Sequence, residues 1–167
     1  MNRNPKIERA AAPEGHEPRR VPVVDDCGMV VMDPWWGTIQ PQQLHPDLPT
    51  YGELELIEHL NAGGAIVDTR RPEYVEATGT IPGSLVIPWE EIERRASEID
   101  PNAVTVLYCN GPQCAATPRA VEKLFAMGRD PRSLAYYRGG IYEWMSLGLP
   151  IEAYSRAGSE AAGDLAA

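Results

Sequence analysis

The sequence predicts an α/β domain built on a central, largely parallel sheet with helices on both faces. Short apolar runs alternate with amphipathic stretches from residue 50 onward. The apolar runs are too brief for helices and continuous enough to be covered on both sides. Gly and Pro separate one kind of segment from the other, the spacing expected of strand–helix–strand units.

Each element has its own signal. Thr50 followed by Glu53 reads as a capping box opening a helix, with Leu54, Leu56, Ile57 and Leu60 facing inward and Asn61-Ala-Gly-Gly64 ending it. Ala65-Ile66-Val67 reads as a strand, and Glu73 to Ala77 as one or two helical turns. Gly79, Pro82 and Gly83 break the chain before a strand from Ser84 to Ile87. A charged helix over Glu90 to Ser97 follows. Val104 to Tyr108 is the clearest strand and runs directly into Cys109. Thr117-Pro118 reads as an N-cap and first helical residue, with Val121, Leu124 and Phe125 inward and Gly128 as the stop. Leu134 to Tyr137 completes the strands, and Gly139-Gly140 turns into a last helix from Ile141 to Leu147.

The 167 residues suffice for one domain, at 50–153, with flanks. Residues 1–30, charged and Pro-rich without apolar period, read as a disordered lead-in. Residues 31–49 carry Trp35 and Trp36 among prolines and read as an extended segment packed on the domain, because adjacent tryptophans are costly to leave in water. Residues 154–167 read as a flexible tail. A net charge of -9 disfavours phosphate backbones and anionic membranes as partners. No apolar run approaches the roughly 18–20 residues of a membrane span, and the N-terminus lacks a signal-peptide pattern, so the expected location is cytoplasmic. Three cysteines make no disulfide framework and are expected to be thiols.

The chemistry is expected in Cys109-Asn-Gly-Pro-Gln-Cys-Ala-Ala116, between a buried strand and a helix start. Ligands of open α/β sheets bind beyond the carboxyl ends of strands, and the amides at a helix start favour negative charge. A thiol there ionises more easily; lowering its pKa by two units takes about 2.7 kcal/mol of differential stabilisation. The competing reading is a small cysteine buried as an apolar residue.

Four separated motifs over roughly residues 50–150 resemble the rhodanese family of sulfurtransferases. Ile66-Val-Asp-Thr-Arg70 with Arg71-Pro-Glu-Tyr74 resembles its first signature. Gly79-Thr-Ile-Pro-Gly83 leading to Ser-Leu-Val-Ile-Pro88 resembles its Gly-His-Ile-Pro-Gly-Ala turn. Val106-Leu-Tyr-Cys109 resembles the strand that delivers the catalytic cysteine, and Arg138-Gly-Gly-Ile-Tyr-Glu-Trp144 with Gly148-Leu-Pro150 the closing signature. The resemblance implies a rhodanese-like domain in which Cys109 takes a sulfane sulfur as a persulfide and passes it on. The loop residues Asn110, Gly111, Pro112, Gln113, Cys114, Ala115 and Ala116 would cradle it, with Arg70 and Arg119 as substrate-binding cations. The implied partners are a small sulfur donor or protein persulfide and a thiol or cyanide-like acceptor, with no metal, organic cofactor, nucleic acid or membrane.

The sequence also departs from the family. No cation lies between Asn110 and Ala116, where many members carry Arg or Lys. Counted to a cap at Thr117, the loop has eight residues against the family's usual six, which points to a bulky donor. Thr80 replaces the commoner His. Cys114 lies within reach of a disulfide or sulfur relay with Cys109, the alternative being a sulfur packed on the sheet. Cys27 reads as incidental, Asp68 as fixing backbone or an arginine, and the tryptophans as core and cover. His16, His45 and His59 form no ligand cluster with the cysteines. A cysteine phosphatase or arsenate reductase would need an arginine six residues after the cysteine, where Ala115 stands. The other alternative is a non-catalytic module that binds a partner or senses redox state.

Overall fold

The computed structural model describes residues 7–156; the first six residues of the expected lead-in and residues 157–167 of the expected tail lie outside them. A short antiparallel hairpin, β1 (Val23–Val24) with β2 (Val30–Val31), precedes the domain. Then come β3 (Thr50–Tyr51), α1 (Glu53–Asn61), β4 (Ala65–Asp68), α2 (Pro72–Thr78) and β5 (Leu85–Val86). After them follow β6 (Thr105–Tyr108), α3 (Ala116–Ala126), β7 (Leu134–Tyr137) and α4 (Gly140–Ser146). Strands β3 to β7 form one all-parallel sheet in the order β3-β7-β6-β4-β5.

Alternation along the central strands splits the core in two. Val67, Leu107, Leu134 and Tyr136 face one layer, closed by Ala120, Val121 and Leu124 of α3 with Ile92 and Ile99. Ile66, Val106, Tyr108, Ala135 and Tyr137 face the other, closed by Leu56 of α1 and by Ile141 and Trp144 of α4. Both faces are covered, so the strands are apolar throughout, as parallel strands must be.

Two local expectations are corrected. Thr50 is not a helix cap: it pairs with Tyr136 in the sheet, and α1 starts after Gly52, whose N–H donates to the Glu55 carboxylate at 3.0 Å. That register leaves Leu54 78% exposed and directs Leu56 inward. The charged helix over 90–97 is a series of turns ending in a 3₁₀ turn, Ala96–Glu98. Tight i→i−3 bonds (Glu91 to Pro88, Glu98 to Arg95) compete with α-helical ones, and the Arg129 guanidinium donates to the Ala96 and Ile99 carbonyls. Within residues 7–30, the Arg20 carbonyl accepts from Asn110 Nδ2 at 2.6 Å, Arg19 N–H and His16 bond to the Asp33 carboxylate, and Cys27 lies exposed in the hairpin turn.

Beneath the carboxyl ends of β4 and β6 runs a buried polar seam. Arg70, fully enclosed, is forked on Asp68 at 2.9 and 2.6 Å and also donates to the Thr78 hydroxyl and the Gly79 carbonyl. Thr80 bridges Asp68 and the Tyr108 hydroxyl, which also accepts the Ile81 N–H. Thr80 is thereby accounted for as a strut of this seam. Removing one partner of a buried ion pair leaves the other uncompensated, so Asp68→Asn is expected to destabilise the fold by about 3–5 kcal/mol in urea unfolding; a loss below about 1 kcal/mol would mean that the seam is solvated.

Candidate functional site

Strand β6 ends at Tyr108 and places Cys109 at the mouth of a tight loop. The loop is shorter than its sequence suggested. Helix α3 begins at Ala116 with Ala115 as its cap, so Cys109 to Cys114 makes six residues, not eight. Pro118 is tolerated because it sits in the first turn, where an N–H has no helical acceptor; the bond from Arg119 N–H to the Ala115 carbonyl comes one residue later. A loop of six residues gives no reason to expect a bulky donor.

The loop is clamped from two directions. The Cys114 N–H donates to the Gly111 carbonyl, while the Cys109 and Asn110 carbonyls accept from Ile141 and Tyr142 N–H at the start of α4. Gly140 has φ +61, and a Cβ there would collide with the Cys109 carbonyl and stand 2.7 Å from the Gly111 nitrogen. Only glycine permits both the backbone conformation and that approach.

Cys109 is 1% exposed. Burial alone pushes its thiol up, since it disfavours the anion. Hydrogen bonds from the Cys114 thiol, the Thr117 hydroxyl, and the Thr117 and Gly111 amides outweigh that and bring it from 9.0 to about 7. Cys114 is the mirror case: its bond to Cys109, then burial, raises it well above the ordinary thiol value. The Thr117 hydroxyl is itself 2.8 Å from that of Thr69, which lies 2.9 Å from the Tyr108 carbonyl, so the donor set is tied to the end of β6. The Tyr136 hydroxyl is fully buried without a hydrogen-bond partner among the described residues; burial, then the charge of Cys109, pushes its pKa up.

A cavity of about 470 Å³ opens beside the loop. Of the expected substrate-binding residues, Asn110, Gln113, Cys114, Ala115, Ala116, Arg70 and Arg119 border it. Gly111 and Pro112 do not; they act through backbone, Gly111 on Cys109 and Pro112 by accepting the Gln40 N–H at 2.8 Å. Arg70 is taken up by the seam below, and Arg119 stacks 4.8 Å over the Trp89 ring. The sequence reading missed the outer wall: Arg20, Trp35, Trp36 and Thr38 from the N-terminal segment, with Arg71, Tyr74 and Trp89 from the domain. That segment is tied over the loop by Thr38 N–H to the Gln113 carbonyl, Gln113 Nε2 to the Asp33 carbonyl, and Arg138 to the Gln40 carbonyl. The Trp35-Trp36 pair was the available signal; it was read as cover without a cavity beneath it. Arg138 holds the segment and does not border this cavity. Among the described residues no group of three or more His, Cys, Asp or Glu side chains could hold a metal ion.

Comparison with known proteins agrees with this architecture. A family model for the rhodanese-like domain matches residues 53–147. The chain is 33% identical over 98 residues to an HTH-type transcriptional regulator of Mycobacterium tuberculosis, a match that takes in 59% of this chain and only 42% of the regulator. It is 36% identical over 88 residues to a sulfurtransferase of Allochromatium vinosum, over 53% of this chain and 78% of that one. Among solved structures, a thiosulfate sulfurtransferase from Pseudomonas aeruginosa shares the fold, with a TM-score of 0.56 and 23% identity over 77% of this chain and 25% of its own. A rhodanese-like domain protein from Staphylococcus aureus gives a TM-score of 0.51 and 27% identity over 63% and 99%.

The lowered pKa of Cys109 has a direct readout. The ultraviolet thiolate absorbance of the wild type minus that of Cys109→Ser is expected to rise with a midpoint at about pH 7. Because the folded value lies below the unfolded one, the stability this anion contributes is full above the ordinary thiol pKa and is lost as pH falls through about 7. A midpoint near the ordinary value would show that the donors do not offset burial.

Proposed function

Because the chain belongs to the rhodanese-like domain family, we propose that it is a sulfurtransferase that carries a sulfane sulfur on Cys109. The observation that carries this reading is a buried sulfur encircled by donors that favour its anion: the Thr117 hydroxyl, the Thr117 and Gly111 amides, and the Cys114 thiol. The same donors that ready a thiolate for attack can hold the negative charge of a persulfide, by the logic of an oxyanion hole.

The chemistry balances without a redox partner. The Cys109 thiolate attacks the outer sulfur of a persulfide or thiosulfate, whose S–S bond breaks with the electron pair leaving on its thiol or sulfite; with mercaptopyruvate the C–S bond breaks instead and the pair leaves on the pyruvate enolate. An acceptor thiolate or cyanide then takes that sulfur, and the pair from the Cys109 S–S bond returns to Cys109. The cavity's aromatic wall and rim guanidiniums, Arg20 and Arg119, suit a small organic donor that bears an anionic group. Ala115 caps the helix where an oxyanion-clamping arginine would be needed, which weighs against phosphatase or arsenate-reductase chemistry.

One observation favours a second reading, a partner-binding or redox-sensing module: Cys109 is almost fully enclosed and does not itself border the cavity. Mass spectrometry separates the two. After incubation with thiosulfate, mercaptopyruvate or a thiol persulfide, the wild type is expected to gain one sulfur atom that enters through Cys109, cyanide is expected to remove it as thiocyanate, and Cys109→Ser is expected to gain none. If no donor loads the wild type, the enzymatic reading fails and the module remains.

A further inference from the structure

Two thiols share one six-residue loop and differ in what they can reach. Cys109 Sγ lies 3.5 Å from the Cys114 carbonyl, and the two side chains hydrogen-bond each other. The Cys114 N–H to Gly111 carbonyl bond folds the chain back so that Cys114 returns over Cys109. Cys109 is 1% exposed and absent from the cavity wall, whereas Cys114 is 6% exposed and part of it, beside Gln113, Ala115 and Arg119. Both are free thiols.

We propose that Cys114 is a second sulfur station: the sulfane sulfur captured by Cys109 passes within the loop to Cys114, and the acceptor in the cavity removes it from there. The inference rests on the sulfurtransferase reading and adds a residue and an order of events to it.

The transfer is redox-neutral. The Cys114 thiol, already a hydrogen-bond donor to Cys109, gives its proton to the outer sulfur of the Cys109 persulfide anion. The resulting Cys114 thiolate attacks that outer sulfur. The Cys109 S–S bond breaks with its electron pair going to Cys109, which is left as the thiolate the loop favours. Cys109–S–S⁻ and Cys114–SH thus become Cys109–S⁻ and Cys114–S–SH, with one negative charge on each side. The direction has a physical basis: in thiol exchange the better leaving group is the less basic sulfur, and the donors around Cys109 make it that. The geometry contributes the rest, since neighbours in one loop exchange without the entropy cost of meeting.

The test locates the sulfur and times its departure. Wild type loaded with a thiol persulfide, alkylated and digested, is expected to carry the extra sulfur on both Cys109 and Cys114, and Cys109→Ser on neither. Cys114→Ser is expected to load Cys109 to the same stoichiometry of one sulfur. Pre-loaded Cys114→Ser is then expected to release it to a small thiol acceptor at least about tenfold more slowly in a single turnover. Starting from loaded protein keeps the effect of Cys114 on capture out of the comparison, and an unchanged melting temperature with full loading separates a chemical role from a packing one. Sulfur confined to Cys109 in the wild type, with release from Cys114→Ser within about twofold of wild type, overturns the relay and leaves the sulfurtransferase reading standing. A Cys109–Cys114 disulfide formed with release of hydrosulfide on loading, or sulfur on Cys114 in Cys109→Ser, also overturns it. Failure of every donor to load either cysteine overturns both.

Discussion

A buried anion must be compensated where it sits, and this protein's site is organised around that requirement at Cys109. Enclosure by itself would keep the sulfur protonated and inert. The compensation is supplied by the Cys114 thiol, the Thr117 hydroxyl and two backbone amides rather than by a cation of the loop, since Asn110 to Ala116 has none. Amide donors act only within hydrogen-bond range, so the loop must be held in one shape. Hence the close approach of Gly140 to the Cys109 carbonyl, the Gly111 turn and the early start of α3 each bear on the acidity of one sulfur. A side chain at any of these glycines would act on chemistry it does not touch.

The seam below the loop extends the same dependence into the sheet. Asp68 and Arg70 neutralise each other, and the remaining polar positions are satisfied by Thr78, Gly79, Thr80 and Tyr108. Burial opposes the charge of Arg70, and Asp68, ahead of Tyr108 and Cys109, is the strongest of the charges that sustain it. A guanidinium fixed in this way is too engaged to follow a substrate. The overall charge of -9 therefore says little about the mouth of the cavity, where Arg20, Arg71 and Arg119 gather on a small area. Local placement outweighs net charge within about a Debye length of 8–10 Å.

What could be read in the sequence was whatever a short window encodes. The strand at 134–137 is bounded in the structure as its apolar run suggested and β6 lies within a residue of its expected limits, because burial on both faces writes itself as a continuous apolar run, whereas α3 starts two residues before its expected first residue. The errors share a cause: they concern competition between local signals and distant partners. Thr50 and Glu53 make a sound capping box until β7 offers Thr50 a sheet register. The 90–97 segment has helical composition, but Arg129, 33 residues on from Ala96, takes the Ala96 carbonyl and that of Ile99 just beyond the segment. The loop length was miscounted because Pro118 was assumed to need the first helical position, when any place in the first turn serves. The cavity wall was illegible for a different reason: Arg20 and Trp35 meet Tyr74 and Trp89 only through the fold.

That last point divides the molecule by task. The matched region, residues 53–147, contains four of the five sheet strands, the loop, the seam and both loop cysteines. The outer wall of the cavity comes in good part from residues 18–38, which precede it. The wall is joined to the loop by bonds that run to backbone carbonyls, from Asn110 to Arg20, from Thr38 to Gln113 and from Gln40 to Pro112. Backbone bonds of this kind tolerate changes of side chain on the covering segment, so Trp35, Trp36 and Arg20 can vary in what they select while the position of Cys109 is preserved. Gly37 is the exception, since a Cβ there would strike the Gln113 carbonyl and lift the segment from the loop. The loop and the cavity wall that covers it are thus supplied by different stretches of chain, which meet between Cys109 and Cys114.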